Sequence, residues 1–166
     1  MTNTTCHAAL LEPVPSSASS DERYARGLHA LAAVDGPAGQ AVIDALAKSF
    51  PDFARYVVEF PFGDIYSRAQ LGLRERELAT VAALCALGNA APQLRVHVHA
   101  ALHVGCLPAE IVEVVMQMAV YAGFPAALNG LAVVRDVFGQ VGIQLPLPQA
   151  DRSASTSGAL HGQEGR

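Results

Sequence analysis

The sequence predicts an all-α domain of about six to seven helices, and three observations predict it. Apolar residues recur at three- and four-residue intervals between stops marked by Gly and Pro. No stretch alternates apolar with polar residues as a half-buried strand does. Hydrophobic residues make up 51% of the 166 positions and charged residues 16%, with aromatics at 6% and no Trp, so Ala, Val and Leu must do the packing. Side chains this small let helices approach closely. So much apolar surface on a chain of one-domain length implies a large core, or faces covered by further copies of the chain.

The elements follow in order. Residues 1–20 are rich in Ser, Thr and Pro without periodicity and are expected as a flexible tail. Residues 146–166, from Pro146-Leu147-Pro148 onward, are expected as a second tail, which leaves 21–145 for the helical domain. Asp21 can cap a first helix running to about Val34, where Asp35-Gly36-Pro37 stops it. Val42, Ala45 and Leu46 give Ala38 to Phe50 a helical face. Pro51 opens the next segment, with Phe53, Tyr56, Val57 and Phe60 on one face, and Pro61 and Gly63 should end or bend it. A helix follows from about Leu73 to Leu87, with Arg74, Glu75, Arg76 and Glu77 in its first turns. Beyond them Leu78 to Leu87 is apolar on every side except at Thr80, and should be buried. Gly88 closes that helix. The next runs from about Pro92 to Val104 and ends at Gly105. Pro108 starts another, reaching about Ala122, and a last helix runs from the Gly123-Phe124-Pro125 turn to about Gln140.

Charge and composition remove several function classes. The formal net charge is −4, with no Lys/Arg run or basic stripe, so nucleic acid is not an expected partner. Cys6, Cys85 and Cys106 are far apart, odd in number and without a CxxC, which fits a reducing, cytoplasmic setting better than a disulfide framework. The first residues lack the basic and apolar runs of a secretory signal. Val114 to Val134 is nearly uncharged and long enough to span a bilayer. Gln117 and Asn129 interrupt it, however, and Gly123-Phe124-Pro125 breaks it, so two buried helices joined by a turn are expected and no membrane span.

Two clusters could carry chemistry. His99 and His103 are four apart and share a helix face, half of a possible metal site, or equally a solvated face or subunit contact. His97 projects about 200° away from His99 at ~100° per residue. The second cluster is Glu77 with His97. Glu77 lies eleven residues before Gly88 and His97 nine after it, so in an antiparallel helix pair their axial heights nearly match at ~1.5 Å per residue. A carboxylate beside an imidazole orients it and raises its proton affinity, which makes a workable acid/base couple. The structural alternative is a helix-terminal charge for Glu77 and a satisfied core histidine for His97. Arg74 and Arg76 can each hold a substrate carboxylate through a forked pair of hydrogen bonds, or form salt bridges with Glu75 or Glu77. Tyr121 can donate a hydrogen bond near the chain turn, or simply pack. Cys85 lies in an apolar stretch and should be inert, and Cys106, with only His103 as a nearby cation, is a weak nucleophile candidate.

These residues carry a family resemblance. Leu73-Arg74-Glu75-Arg76-Glu77-Leu78 resembles the opening leucine and arginine pattern of the carboxymuconolactone decarboxylase family. Leu94-Arg95-Val96-His97, followed by Ala100-Ala101-Leu102 and Gly105, is similar to its histidine helix, and Ala109-Glu110-Ile111 to the start of the next. Met118 to Ala127, which contains Tyr121-Ala122-Gly123-Phe124-Pro125-Ala126, resembles its A-x-Y-x-G-F-P-A turn, the most specific piece. Together the matches span roughly residues 50 to 140. The resemblance implies an AhpD-like all-α fold and a homo-oligomer, a trimer or a hexamer built from dimers. The peroxidase branch of this superfamily places a CxxC before the helix histidine. Counting back from His97, those positions are Ala90 and Gln93, so thiol peroxidase chemistry is not expected. His97 and Glu77 stand at positions resembling that branch's proton-relay pair, while His99, His103 and Leu107 depart from the usual family residues and leave the substrate open.

The implied activity is decarboxylation of a γ-carboxymuconolactone-like small carboxylic acid by general acid/base catalysis, without cofactor or metal. His97 would donate the proton, Glu77 orient it, and Arg74 or Arg76 hold a carboxylate or oxyanion, with His99 and Tyr121 as further substrate contacts. Two alternatives stand beside it. One is a biosynthetic enzyme of the same fold that decarboxylates, isomerises or rearranges a polyketide-like compound. The other is a non-enzymatic helical oligomer that binds a ligand or scaffolds a complex.

Overall fold

The computed structural model describes residues 19–148. Most of both expected tails lies outside that span. Six α-helices and one π-helical segment make up the described chain: α1 (Ser20–Ala47), α2 (Pro51–Val57), the π-helical segment (Val58–Tyr66), α3 (Leu73–Leu87), α4 (Ala91–His103), α5 (Pro108–Tyr121) and α6 (Phe124–Gln140). No strand forms among the described residues. The nearly uncharged stretch from Val114 to Val134 is divided between α5 and α6 by the turn at Gly123, and no described helix is long and apolar enough to cross a membrane.

The start of α1 lies two residues earlier than the sequence suggests. Ser19 is the cap: its hydroxyl accepts from Glu22 N–H at 3.2 Å while the Glu22 carboxylate accepts from Ser19 N–H at 2.8 Å. This reciprocal arrangement satisfies two backbone donors that a helix start otherwise leaves open. Asp21, expected as the cap, lies in the first turn and pairs with Arg55 at 2.7 Å. The two helical runs expected on either side of Asp35-Gly36-Pro37 join into one element with a kink. Gly36 has φ 57° and ψ −146°, a conformation that side chains with a Cβ rarely adopt, and Pro37 lacks the N–H that would bond back across the break.

After α2 the chain does not stop at Pro61 or Gly63. The turns widen into the π-helical segment and continue to Tyr66. A π turn reroutes the carbonyl that proline leaves without a donor, so the helix survives with a looser pitch. Gly63 has a second purpose: a Cβ there would lie 2.5 Å from the Arg23 carbonyl oxygen of α1. A Cβ on Gly27 of α1 would strike the Val58 carbonyl. Two glycines, one from each element, therefore let the two backbones touch. Arginines fasten the contact, with Arg23 gripping Asp64 through two nitrogens at 3.0 and 2.5 Å and Arg26 donating to the Gly63 carbonyl at 2.6 Å.

Two apolar clusters result. The larger joins α3, α4, α5 and α6 through residues such as Val81, Val98, Ile111, Val115, Val137 and Phe138. The smaller joins α1, α2 and the π-helical segment through Leu31, Val34, Ile43, Ala54, Val58 and Phe62. Ala100 of α4 belongs to the smaller cluster, whereas Leu94, Val98 and Ala101 belong to the larger, so α4 lies between the two. The expectation that Leu78 to Leu87 is buried on all sides needs correction. Val81 and Cys85 are buried, but Leu87 is 66% exposed. A helix apolar on every side needs cover on every side, and α4, α5 and α6 leave part of α3 open. The aromatic face of α2 and the start of the π-helical segment is open too, with Phe53, Tyr56 and Phe60 each about three-fifths exposed.

The close α1 contact gives a direct test. Gly27→Ala forces a methyl into the Val58 backbone and should lower the unfolding free energy by about 1–3 kcal/mol in urea titrations. Gly139→Ala, where a Cβ meets nothing within 4 Å on α6, should instead raise it by about 0.5–1 kcal/mol.

Candidate active site

A carboxylate lies wholly inside the protein, and its partners define the site. Glu77, on the second turn of α3, is 0% exposed. An ionised carboxylate away from water needs donors on its oxygens. Oε2 accepts from His97 Nδ1 at 2.9 Å, and Oε1 accepts from the Tyr66 hydroxyl at 2.8 Å. The Tyr66 oxygen is also 2.9 Å from Thr80 Oγ1, which in turn lies 2.9 Å from the Arg76 carbonyl. Proton counting orders this chain. The carboxylate can only accept, so the single Tyr66 proton goes to Glu77, and Thr80 donates either to the Tyr66 oxygen or to the Arg76 carbonyl.

Local structure places each member. Gly88 ends α3 in the left-handed conformation at φ 72°, and the chain re-enters α4 at Ala91. This short reversal sets α3 and α4 side by side with Glu77 and His97 level, as residue counting about the turn predicts. Tyr66 is the last residue of the π-helical segment, so continuation of that helix past Pro61 and Gly63 is what delivers the hydroxyl. The His97 side chain is 22% exposed. With Nδ1 bound to Glu77, Nε2 is the nitrogen left to meet a ligand.

Charge around His97 favours its protonated form. Burial pushes the imidazole below its usual range, but the hydrogen bond to Glu77 and the negative charges of Glu77 and Asp35 outweigh it, so the net shift is upward. Burial raises the Tyr66 hydroxyl far above the ordinary phenol range, which keeps it a proton donor to Glu77. Asp35 is the third acid. Burial raises it, the charge of His97 draws it back, Glu77 raises it further and His103 opposes that.

The remaining residues singled out from the sequence are placed differently. Arg74 is bound to both carboxylate oxygens of Glu110, at 2.7 and 2.5 Å. Arg76 donates to the carbonyls of Leu71 and Arg68 and lies over the Tyr66 ring, with no ion pair to Glu75 or Glu77. Tyr121 is 77% exposed at the end of α5 and makes no bond to Glu77 or His97. His99 contacts Gln140 Oε1 at 3.3 Å, and His99 and His103 line a cavity of about 370 Å³ together with Asp35. No group of three or more metal-type side chains clusters among the described residues. Cys85 and Cys106 are free and buried, and burial raises both thiols. Cys106 faces the Arg74 carbonyl at 3.6 Å.

Sequence reading missed three members of the site. Thr80 carried a signal, as the one polar residue in an apolar run. Tyr66 carried none, because its place depends on a helix that outlasts a proline. Asp35 read only as part of a helix stop.

The electrostatics can be measured. An NMR titration of His97 should give a midpoint above the ordinary histidine value of ~6.5. In Glu77→Gln the midpoint should drop below the wild-type one, because burial persists while the carboxylate is gone. Because the folded value is the higher one, the pair's contribution to stability is complete below pH ~6.5 and is lost as pH rises through the folded value. The gap in Tm between wild type and Glu77→Gln should therefore narrow over that rise.

Comparison with known proteins agrees with the all-α fold. Residues 51–136 match the carboxymuconolactone decarboxylase family. A 4-carboxymuconolactone decarboxylase of Acinetobacter baylyi is 30% identical over 126 residues, covering 75% of this chain and 93% of that protein. An uncharacterised 15.0 kDa protein in the nqo9-nqo10 intergenic region of Paracoccus denitrificans is 33% identical over 97 residues, covering 58% of this chain and 72% of its own. With a family match over more than half of its length and a relative aligned almost end to end, this helical chain belongs to the carboxymuconolactone decarboxylase family.

Proposed function

We propose that the protein is a cofactor-independent decarboxylase of a small carboxylic acid of the γ-carboxymuconolactone type, with Glu77 and His97 as its acid/base pair. The observation that carries this reading is the 2.9 Å bond between buried Glu77 and His97 Nδ1, which orients the ring and favours its protonated form. In the reaction the bond from carbon to the carboxylate breaks and CO₂ leaves. The electron pair moves into the conjugated carbonyl system as a dienolate, and His97 Nε2–H delivers the proton to carbon. Solvent then restores the proton. Glu77 holds the imidazolium in place and offsets its charge throughout. Arg74 and Arg76, candidates for holding the substrate carboxylate, are engaged with Glu110 and with backbone carbonyls, which turns attention to the groups around the cavity.

The histidines of that cavity favour a second reading, in which the same scaffold acts on a different, polyketide-like acid. A non-enzymatic scaffold would be supported by a solvent-exposed Glu77, and Glu77 is buried. The resemblance also implies a homo-oligomer, and the exposed Phe53 and Tyr56 of α2, Phe60 of the π-helical segment, Tyr121 at the end of α5 and Phe124 and Leu128 of α6 support it.

The assay is release of CO₂ from γ-carboxymuconolactone. His97→Ala should lower kcat by about 10²–10⁴-fold. Full activity in His97→Ala would sink the assignment. For assembly, sedimentation velocity should give a multiple of the 17.3 kDa chain mass, with Phe53→Glu/Tyr56→Glu shifted toward the single chain. A wild-type monomer at micromolar concentration would refute the oligomer.

A further inference from the structure

The two donors on the Glu77 carboxylate differ in kind. His97 Nδ1, at 2.9 Å from Oε2, can carry a charge and can pass its proton across the bond. The Tyr66 hydroxyl, at 2.8 Å from Oε1, is neutral, and burial keeps its proton on oxygen. The chain builds a mount for that hydroxyl. Ser67 donates to the Phe62 carbonyl at 2.6 Å, which closes the end of the π-helical segment beside Tyr66. The Phe62 and Tyr66 rings lie 5.3 Å apart, tilted against each other. The Arg76 guanidinium is 5.7 Å from the centre of the Tyr66 ring, and its bonds to the Arg68 and Leu71 carbonyls pin the link from Tyr66 back to α3. Thr80 meets the Tyr66 oxygen at 2.9 Å, from the α3 face that also carries Glu77. A ring alone would satisfy the packing, so the mount serves the direction of one O–H.

The consequence lies in the proton between Glu77 and His97. An imidazolium beside a carboxylate and a neutral imidazole beside a carboxylic acid hold the same protons. They differ only in which side of the Nδ1–Oε2 bond one proton occupies. The first arrangement buries two charges, and away from water it prevails only where other groups support them. A hydroxyl donating to Oε1 supports the charged carboxylate far more than the neutral acid. The other titratable groups near the pair do not supply that bond. Cys106 donates to the Arg74 carbonyl, and Asp35 Oδ1 of α1 has no hydrogen-bond partner among the described residues.

We infer that Tyr66 is a positioning residue that keeps the shared proton on His97: its hydroxyl, aimed at Glu77 Oε1, holds the carboxylate ionised and the ring an imidazolium. A neutral imidazole is a far weaker acid than an imidazolium, so the place of this proton decides whether Nε2–H can protonate carbon. The effect on rate rests on the reading of Glu77 and His97 as the reacting pair, whereas the place of the proton does not.

Nitrogen NMR of the full chain with isotope-labelled histidine reads that place directly, because the N–H and lone-pair nitrogens of imidazole resonate far apart. The His97 signals are assigned by their loss in His97→Ala. At a pH about one unit below the His97 midpoint, wild-type Nδ1 should fall in the N–H range. Tyr66→Phe keeps the ring and removes the hydroxyl, and should move Nδ1 toward the lone-pair range. Its kcat on γ-carboxymuconolactone should fall about tenfold with KM within about twofold. If Tyr66→Phe is too unstable to record, the same shift is expected in Tyr66→Phe/Gly139→Ala, where the second change stabilises α6. A lone-pair Nδ1 in wild type, or an Nδ1 unmoved by loss of the hydroxyl, overturns the inference. A moved Nδ1 with unchanged kcat supports it and counts instead against Glu77 and His97 as the reacting pair.

Discussion

A carboxylate with no access to water must be provided for by its surroundings, and Glu77 imposes that demand on three parts of the chain. Its donors come from α4, which lies between the two packing clusters, and from the end of the π-helical segment, which belongs to the smaller one. Removing either donor leaves a buried oxygen unpaired, and losing one member of a buried ionic pair costs about 3–5 kcal/mol. The relative positions of α3, α4 and the π-helical segment are therefore tied to one side chain. One partner that satisfies Glu77 is an imidazole, whose Nε2 is not bound to that carboxylate.

The division into two clusters explains how such a site can be both dry and reachable. Glu77 is covered by helix packing, while His97 keeps about a fifth of its side chain open. The kink at Gly36 lies beside His103 of α4. An unbroken α1 would carry its backbone past α4 with no corner, and Asp35 would have no concave space to face. The broad contact of α1 with the π-helical segment, permitted by Gly27 and Gly63, holds that kinked helix in place.

Much of this was legible in the sequence, and the reasons are specific. Helix limits from α3 onward followed from Gly88, Gly105, Pro108 and Gly123, where backbone geometry is dictated locally. The level placement of Glu77 and His97 followed from residue counting about a short turn. What was not legible depends on contact between distant segments. The π-helical segment runs on through Pro61 and Gly63 because it is clamped to α1, and local signals alone favour a stop. Ser19 displaced Asp21 as the cap because its partner Glu22 sits at the right offset for a reciprocal pair. Arg74 and Arg76 read in sequence as carboxylate holders or as partners of Glu75 or Glu77, yet Glu110 and two backbone carbonyls hold them. The outer surface of α3 was read as core because apolarity reports a need for cover and not what supplies it.

The faces of α4 have a consequence for descent. His97 points toward Glu77, and Val96, His99, Ala100 and His103 line the neighbouring cavity, so one short helix turns different faces to the buried carboxylate and to the cavity. Because these residues lie on separate faces, substitutions in the cavity wall can leave the Glu77–His97 pair in place. A lineage built on this helix can reshape the cavity by single steps while the buried carboxylate keeps its partner.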